Sequence, residues 1–345
     1  MARRARPPQL DIEVFDGLGR NQFDLCGQLS PLEVQLFLPQ STTPTTAHGA
    51  GIPAYPSDEP LPACPWRWGS RRVWVSLPLP SPCYPTLRMV DTTGDLKFNV
   101  LSMQSENERT RRAAFARLLR SAAIPEEELL ANLGLFVRRQ QWARYLFMHD
   151  LYKRALDVHG VVMEFGTRWG QNLALFSVFR GLYEPYNHTR QLVGFDTFTG
   201  FPEVSAEDGA NPAVMAGAYS VTDGWERTLE DILVYHESES PISHLRKFEL
   251  VKGDVSQTLP EYLGRHPETV VALAYFDMDI YKPTRDALVA IRPHLTRGSV
   301  IGFDEACFAA LPGETVALRE VLGLGSVRLQ RSSYSPTTSF LIWEG

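Results

Sequence analysis

The sequence predicts an α/β fold in residues 158 to 345, with a mostly parallel seven-stranded sheet and helices on both faces. Beyond residue 158, short apolar runs of strand length alternate with segments of helical period, the pattern of successive βα units. Several of those runs end on a glycine or an acid, as strands do when their carboxyl ends border a ligand crevice. The stretch before it differs in kind: residues 1 to 90 hold 14 of the 25 prolines. Proline fixes φ and withholds a backbone donor, so that stretch cannot be mostly helix or central strand.

Residues 1 to 90 therefore read as a Pro-rich extension or cap of loops and short strands, the latter at Glu33 to Leu38 and Arg72 to Leu77. Residues 91 to 157 read as a helical segment, because apolar residues recur at helical spacing over Glu106 to Arg120 and Phe136 to Leu156. In the second helix Trp142, Tyr145, Leu146, Leu151, Tyr152 and Ala155 can share one broad face, suited to a core or a homodimer interface. The seven strands follow: Val161 to Phe165, Leu192 to Phe195, Phe248 to Val251, Val270 to Phe276, Ser299 to Phe303, and an antiparallel pair at Val327 to Arg331 and Ser339 to Trp343. Helices are expected at Gln171 to Arg180, 256 to 265 and 283 to 294. The connection from Pro202 to Glu239 is long for a βα unit and reads as a lid, with Tyr219, Trp225 and His236 as candidate contacts.

Composition narrows the function classes. A formal charge of −6 gives no net field to draw in a polyphosphate, which argues against a nucleic-acid partner. The arginines at 109, 111, 112, 117 and 120 read as the solvated face of a helix. No apolar run is long enough to span a bilayer, and the basic start leads into no apolar signal core. Four dispersed cysteines, Cys26, Cys64, Cys83 and Cys307, suit neither a zinc ribbon nor a compact disulfide framework. A reducing, cytoplasmic setting is the expectation.

The strand ends carry the candidate chemistry. The first runs into Glu164-Phe165-Gly166-Thr167-Arg168-Trp169-Gly170-Gln171-Asn172, where two glycines permit a tight turn against a ligand and a helix start offers free N–H groups to a carboxylate. The GxGxxG dinucleotide pattern is absent. The second strand ends in Asp196-Thr197, placed to bind a ribose diol, and the third in Gly253-Asp254, placed to accept from an adenine amino group. Either aspartate alone would serve as a turn residue or helix cap; in this order they outline an adenosine-shaped site. The fourth and fifth strands end in Asp277-Met278-Asp279 and Asp304-Glu305. Neighbouring strands lie about 5 Å apart, so four carboxylates would crowd one volume unless a cation neutralises them. Oxygen donors without histidine or cysteine select Mg²⁺, Mn²⁺ or Ca²⁺. The competing reading is two helix caps and two solvated acids.

At these residues the sequence resembles the TylF-type family of metal-dependent O-methyltransferases, typified by macrocin and aminocoumarin-sugar methyltransferases. The resemblance covers roughly residues 158 to 345, through EFGTRWGQN at 164, GFDTFTGFP at 194, YFDMDIYKPT at 275 and GSVIGFDEACFAALPGETVALREVL at 298. It implies a Rossmann-like class I methyltransferase fold, with S-adenosyl-L-methionine and Mg²⁺ or another divalent cation as cofactors. Glu164, Gly166, Thr167, Gly170 and Asn172 would line the methionine part of the cofactor, Asp196 and Thr197 the ribose, Asp254 the adenine, and Asp277 the same pocket. Asp277, Asp304 and Glu305 would be metal ligands and Asp279 the general base. Met278, Thr197 and Glu305 stand where the family usually has glycine, serine and a second aspartate. The acceptor implied is a hydroxyl on a small molecule or glycan, such as a sugar with adjacent hydroxyls.

Three alternatives stay open on sequence alone. One is a metal-free methyltransferase acting on nitrogen or carbon, and another a non-catalytic scaffold that binds the cofactor. An iron hydroxylase is disfavoured, since no two-histidine, one-carboxylate set sits at the strand ends.

Overall fold

The structure is a computed structural model that describes residues 14–16, 19–21 and 104–345. The chain divides into two units between Tyr84 and Pro85. Of the first, one antiparallel pair is described, β1 (Val14–Asp16) with β2 (Gly19–Asn21). The strands expected at Glu33 to Leu38 and Arg72 to Leu77 lie outside the described residues, as do Cys26, Cys64 and Cys83.

The second unit opens with α1 (Glu106–Arg120), started by a capping box in which Ser105 and Glu108 satisfy each other's backbone N–H. No residue of α1 is buried, in keeping with its arginine-rich solvated face. A short α2 (Glu126–Leu129) and a 3₁₀ stretch lead into α3 (Arg139–Ala155). The expected face of α3 is corrected in part: Leu151, Tyr152 and Ala155 are buried, but Phe147 and Met148 join them while Trp142 and Leu146 remain exposed.

The sheet is built from β3 (Val161–Phe165), β4 (Leu192–Asp196), β5 (Phe248–Lys252), β6 (Val271–Phe276), β7 (Leu295–Phe303), β8 (Gln330–Arg331) and β9 (Ser339–Ile342). Its order is β5-β4-β3-β6-β7-β9-β8, parallel except that β9 runs antiparallel to β7 and β8. The expected mostly parallel seven-stranded sheet is present. The chain winds outward from β3 through β4 and β5, then returns to the other side of β3 with β6 and β7. The switch point therefore falls between β3 and β6, where a crevice opens beyond the strand ends.

Alternation along the strands sends side chains to two cores. Met163, Phe165, Val193, Phe195, Ala274, Phe276, Ile301 and Phe303 face α6 (Val255–Arg265), α7 (Tyr281–Ile291) and α8 (Gly313–Val321). Val162, Leu192, Leu273, Tyr275 and Val300 face α3, α4 (Gln171–Tyr183) and α5 (Trp225–Ser238). A row of rings, Phe195, Phe165, Phe276 and Phe303, crosses the last register before the crevice, with centroids 4.8 to 5.3 Å apart. That row holds the four strand ends level. Among the described residues no helix is long and apolar enough to cross a membrane.

The long connection after β4 is not one lid. Its second half is α5, which buries Leu229 and Leu233 against the sheet's α4 side, and only the first half arches toward the crevice. That arch is pinned by Asp208, whose Oδ1 accepts from Tyr281 N–H at 2.5 Å, and by Asn211, which donates to the Ala310 carbonyl. Of the three expected lid contacts, Tyr219 lines the crevice; Trp225 packs edge-on against Trp169, and His236 sits on α5 outside the lining.

Candidate active site

Beyond the ends of β3, β4, β5, β6 and β7 lies a cleft of about 490 Å³. One wall is the turn from Gly166 to Asn172. The floor is Phe195 to Thr197 and Gly253 to Val255, and the facing wall is Asp277 to Ile280 with Asp304 and Glu305. Every residue proposed from sequence for the cofactor, the cation or the base lines this cleft except Glu164, which is wholly buried two residues before the wall begins.

The turn after β3 depends on glycine. Gly166 sits at φ +89°, and a Cβ there would fall on the Asp277 carbonyl oxygen, while Asp277 N–H donates to Phe165 O at 2.8 Å. Adjacent strand ends thus touch backbone to backbone. Gly170, at φ +84°, is the N-cap of α4, whose first-turn amides face the cleft without intrahelical partners. Three non-glycine residues lining the cleft, Arg168, Tyr219 and Asp279, also hold positive φ, as does Phe198 beside it. Such strain clusters where a structure over-determines a working geometry.

On the floor, Asp196 accepts from Arg168 N–H at 2.7 Å and Phe198 N–H at 2.5 Å. Burial raises its pKa and these two amides work against the rise. Each oxygen keeps a lone pair for a diol. Thr197 spends its hydroxyl on the Gly200 carbonyl, and Asp254 caps α6 through Ser256 N–H while lining the cleft. Behind the wall, burial pushes the Glu164 carboxyl well up, with Asn172 opposing. Neither Thr167 Oγ1 nor Asn172 Oδ1 meets a hydrogen-bond partner. Buried polar atoms left open in this way mark a place for a polar ligand.

On the facing wall, ligand oxygens of Asp277, Asp304 and Glu305 all lie within 4.8 Å of one another. Asp304 takes Tyr275 O–H on one oxygen at 2.6 Å and an Arg144 N–H on the other at 2.6 Å. Asp277 takes the other arm of Arg144 at 2.9 Å and the Asn172 amide at 3.3 Å. Burial raises Asp277 to about 7, the Asp304 charge adds to the rise, and Arg144 offsets part of it. At Asp304 burial is outweighed by Arg144, Glu305 and Tyr275, which hold the group below its ordinary value. Asp279 is pushed up to about 6 by burial, against a hydrogen bond from Glu305. Glu305 itself is driven well up, first by burial and then by Asp304, Asp279 and Asp277.

Two charged residues of this wall escape a reading by strand ends. Arg144 comes from α3, outside the βα alternation. Glu314, at the start of α8, is fully buried and accepts from both Met278 N–H at 3.3 Å and Glu305 N–H at 3.2 Å. One carboxylate thereby clamps the two acidic loops together. The only signal for it was its place sixteen residues into the last motif, where an acid reads equally well as a helix-start residue.

Solved structures similar to this chain include two of one protein. The calicheamicin methyltransferase CalS11 is 44% identical, with 71% of this chain and 95% of that one covered at a TM-score of 0.69. Its apo structure, described as a TDP-rhamnose 3'-O-methyltransferase of calicheamicin biosynthesis, is 42% identical over 73% of this chain and 100% of that one, at a TM-score of 0.63. Neither a scan of protein-family models nor a search of curated proteins found a match.

Proposed function

The chain belongs to the methyltransferase family of CalS11 and is an S-adenosylmethionine-dependent methyltransferase, and on that premise we propose that it methylates a sugar hydroxyl with the help of a divalent cation, as a TylF-type enzyme. The observation that carries this reading is the convergence of Asp277, Asp279, Asp304 and Glu305 on one wall of a cleft whose opposite wall is a glycine turn and a helix start. The 490 Å³ volume falls in the range of small-molecule sites. We assign residues 158 to 345 as the transferase domain, served by α3, and residues 1 to 90 as an extension.

Bound in this crevice, S-adenosylmethionine supplies an electrophilic methyl group on a sulfonium sulfur. The residues present fit it: Gly166 leaves the backbone open, the α4 amides and the open Thr167 and Asn172 oxygens would hold its amino-acid end, and Asp196 would accept from the ribose. A divalent cation held by Asp277, Asp304 and Glu305 would supply Lewis acidity to the acceptor hydroxyl. The donor set fits a hard ion, and Glu305 Oε2 is buried without a partner. Asp279 takes the hydroxyl proton on its carboxylate. Arg168, whose buried Nε has no hydrogen-bond partner and whose guanidinium stacks over Tyr219, stands beside Asp279 to hold an anionic part of the acceptor. With a neighbour described as acting on TDP-rhamnose, the acceptor class we infer is a deoxysugar carried on a nucleoside diphosphate. Alignment of these groups is the main catalytic contribution, since the leaving group is already good.

The test is transfer of labelled methyl from S-adenosylmethionine to a panel of nucleoside-diphosphate deoxysugars and free glycosides, with and without EDTA. We expect one labelled nucleotide sugar and loss of label with chelator. Transfer that ignores EDTA would remove the cation, and label on glycosides alone would remove the nucleotide. We also assign a homodimer through the helical segment, where Leu118, Leu130, Leu135 and Trp142 are exposed. Light scattering at micromolar concentration should give twice the chain mass of 38.8 kDa; a monomer mass rejects it.

A further inference from the structure

The Arg144 guanidinium bridges the very carboxylates that the proposed cation would need. Its Nη1 donates to Asp277 Oδ2 at 2.9 Å and its Nη2 to Asp304 Oδ2 at 2.6 Å, so one planar fork spans acids from two adjacent strands. The remaining Asp304 oxygen is held by Tyr275 and the same Asp277 oxygen by Asn172. Without a cation, two enclosed aspartates this close could not both ionise readily. A guanidinium keeps its charge at any working pH and matches paired carboxylates better than an ammonium does.

A divalent ion on Asp277 and Asp304 would have to share these two carboxylates with the guanidinium. Two cations within about 4 Å repel strongly in so enclosed a place, so both cannot hold the pair at once. The Arg144 side chain lines the cleft and is 29% exposed, so it is not locked into a core. It also hangs from α3 rather than from a strand end, so its departure need not disturb the loops that carry Asp277 and Asp304.

We propose that Arg144 is the resident counter-cation of the Asp277–Asp304 pair and that it competes with the divalent ion for these two carboxylates. Ion binding then includes expulsion of the guanidinium, and Arg144 sets the threshold concentration at which the site loads. This rests on Asp277, Asp304 and Glu305 being the ion site.

The experiment is Mn²⁺ binding to cofactor-free protein, read as the loss of the free-ion electron paramagnetic resonance signal. Arg144→Gln removes the charge and should bind Mn²⁺ on the order of tenfold tighter than the parent. Arg144→Lys keeps a charge and should stay near the parent. Equal or weaker binding by Arg144→Gln overturns the proposal, and if the parent binds tightly, the ion site itself survives. Binding by Arg144→Gln alone supports the competition and removes the ion from the native reaction. Binding by neither removes both. Should Arg144→Gln fail to fold, a Mg²⁺ titration of arginine-labelled parent decides: the Nε–H resonance missing from Arg144→Lys must move with loading, and an unmoved resonance overturns the proposal.

Discussion

Asp279→Asn is expected to lower kcat by about 10²- to 10⁴-fold, the usual cost of a lost general base, while leaving the fold and cofactor affinity in place. The residue is 4% exposed, lines the cleft, and lies beside the Glu305 carboxyl just past the β6 end. Its backbone is left-handed, φ +63°, a region that asparagine tolerates as well as aspartate does. The substitution is isosteric, so it removes the basic oxygen without moving the loop. Burial raises the parent carboxyl to about 6. A base works when deprotonated, so parent kcat should fall as pH drops through about 6, and that acid limb should be gone from the residual activity of Asp279→Asn. The measurements are kcat across pH 5 to 9, S-adenosylhomocysteine affinity and a thermal melt. A fall of less than about tenfold in kcat with a surviving acid limb would assign the base elsewhere.

Much of this site could be read because three strands end in the same way. Phe195-Asp196, Phe276-Asp277 and Phe303-Asp304 each place an apolar residue in the last register and an acid one step beyond it. Strand spacing then puts Asp277 and Asp304, on the adjacent β6 and β7, side by side, and sets Asp196 across β3 from them, whatever the connections between them do. The seven strands were legible for a related reason: the inner ones are buried on both faces and read as unbroken apolar runs. The helix α5 was not, because it lies inside a connection whose first half lacks regular period, and length alone suggested a lid.

Arg144 and Glu314 were illegible for a different reason. Each acts at a distance from its own element, 133 and 36 residues from the loop atoms it holds. Among a helix's charged residues, pattern cannot tell the one that turns into a cleft from those that face water. The exposed Trp142 and buried Phe147 of α3 make the same point: the 3.6-residue period gives a face, but the partner decides how far that face rotates. Tertiary approach, not local propensity, selects these residues.

Gly166→Ala should cost on the order of 3 kcal/mol of stability, from left-handed backbone strain together with overpacking. Gly166 holds φ +89°, and a methyl group there would meet the Asp277 carbonyl, a backbone atom already fixed by the Asp277 N–H bond to Phe165. Neither side can yield without shearing β3 from β6 at the switch point. For a domain of this size that loss corresponds to a fall in Tm of roughly 6–12 °C. The same shift would displace Asp277 and, one turn on, Asp279, so cofactor affinity and kcat should fall together. Gly264→Ala supplies the contrast. It lies near the end of α6 with ordinary φ and nothing within 4 Å of an added methyl. There alanine should be neutral or gain up to about 1 kcal/mol. Paired melts with S-adenosylhomocysteine titrations read both variants. If Gly166→Ala melts like Gly264→Ala and still binds, the backbone contact between β3 and β6 does not set the geometry of this cleft.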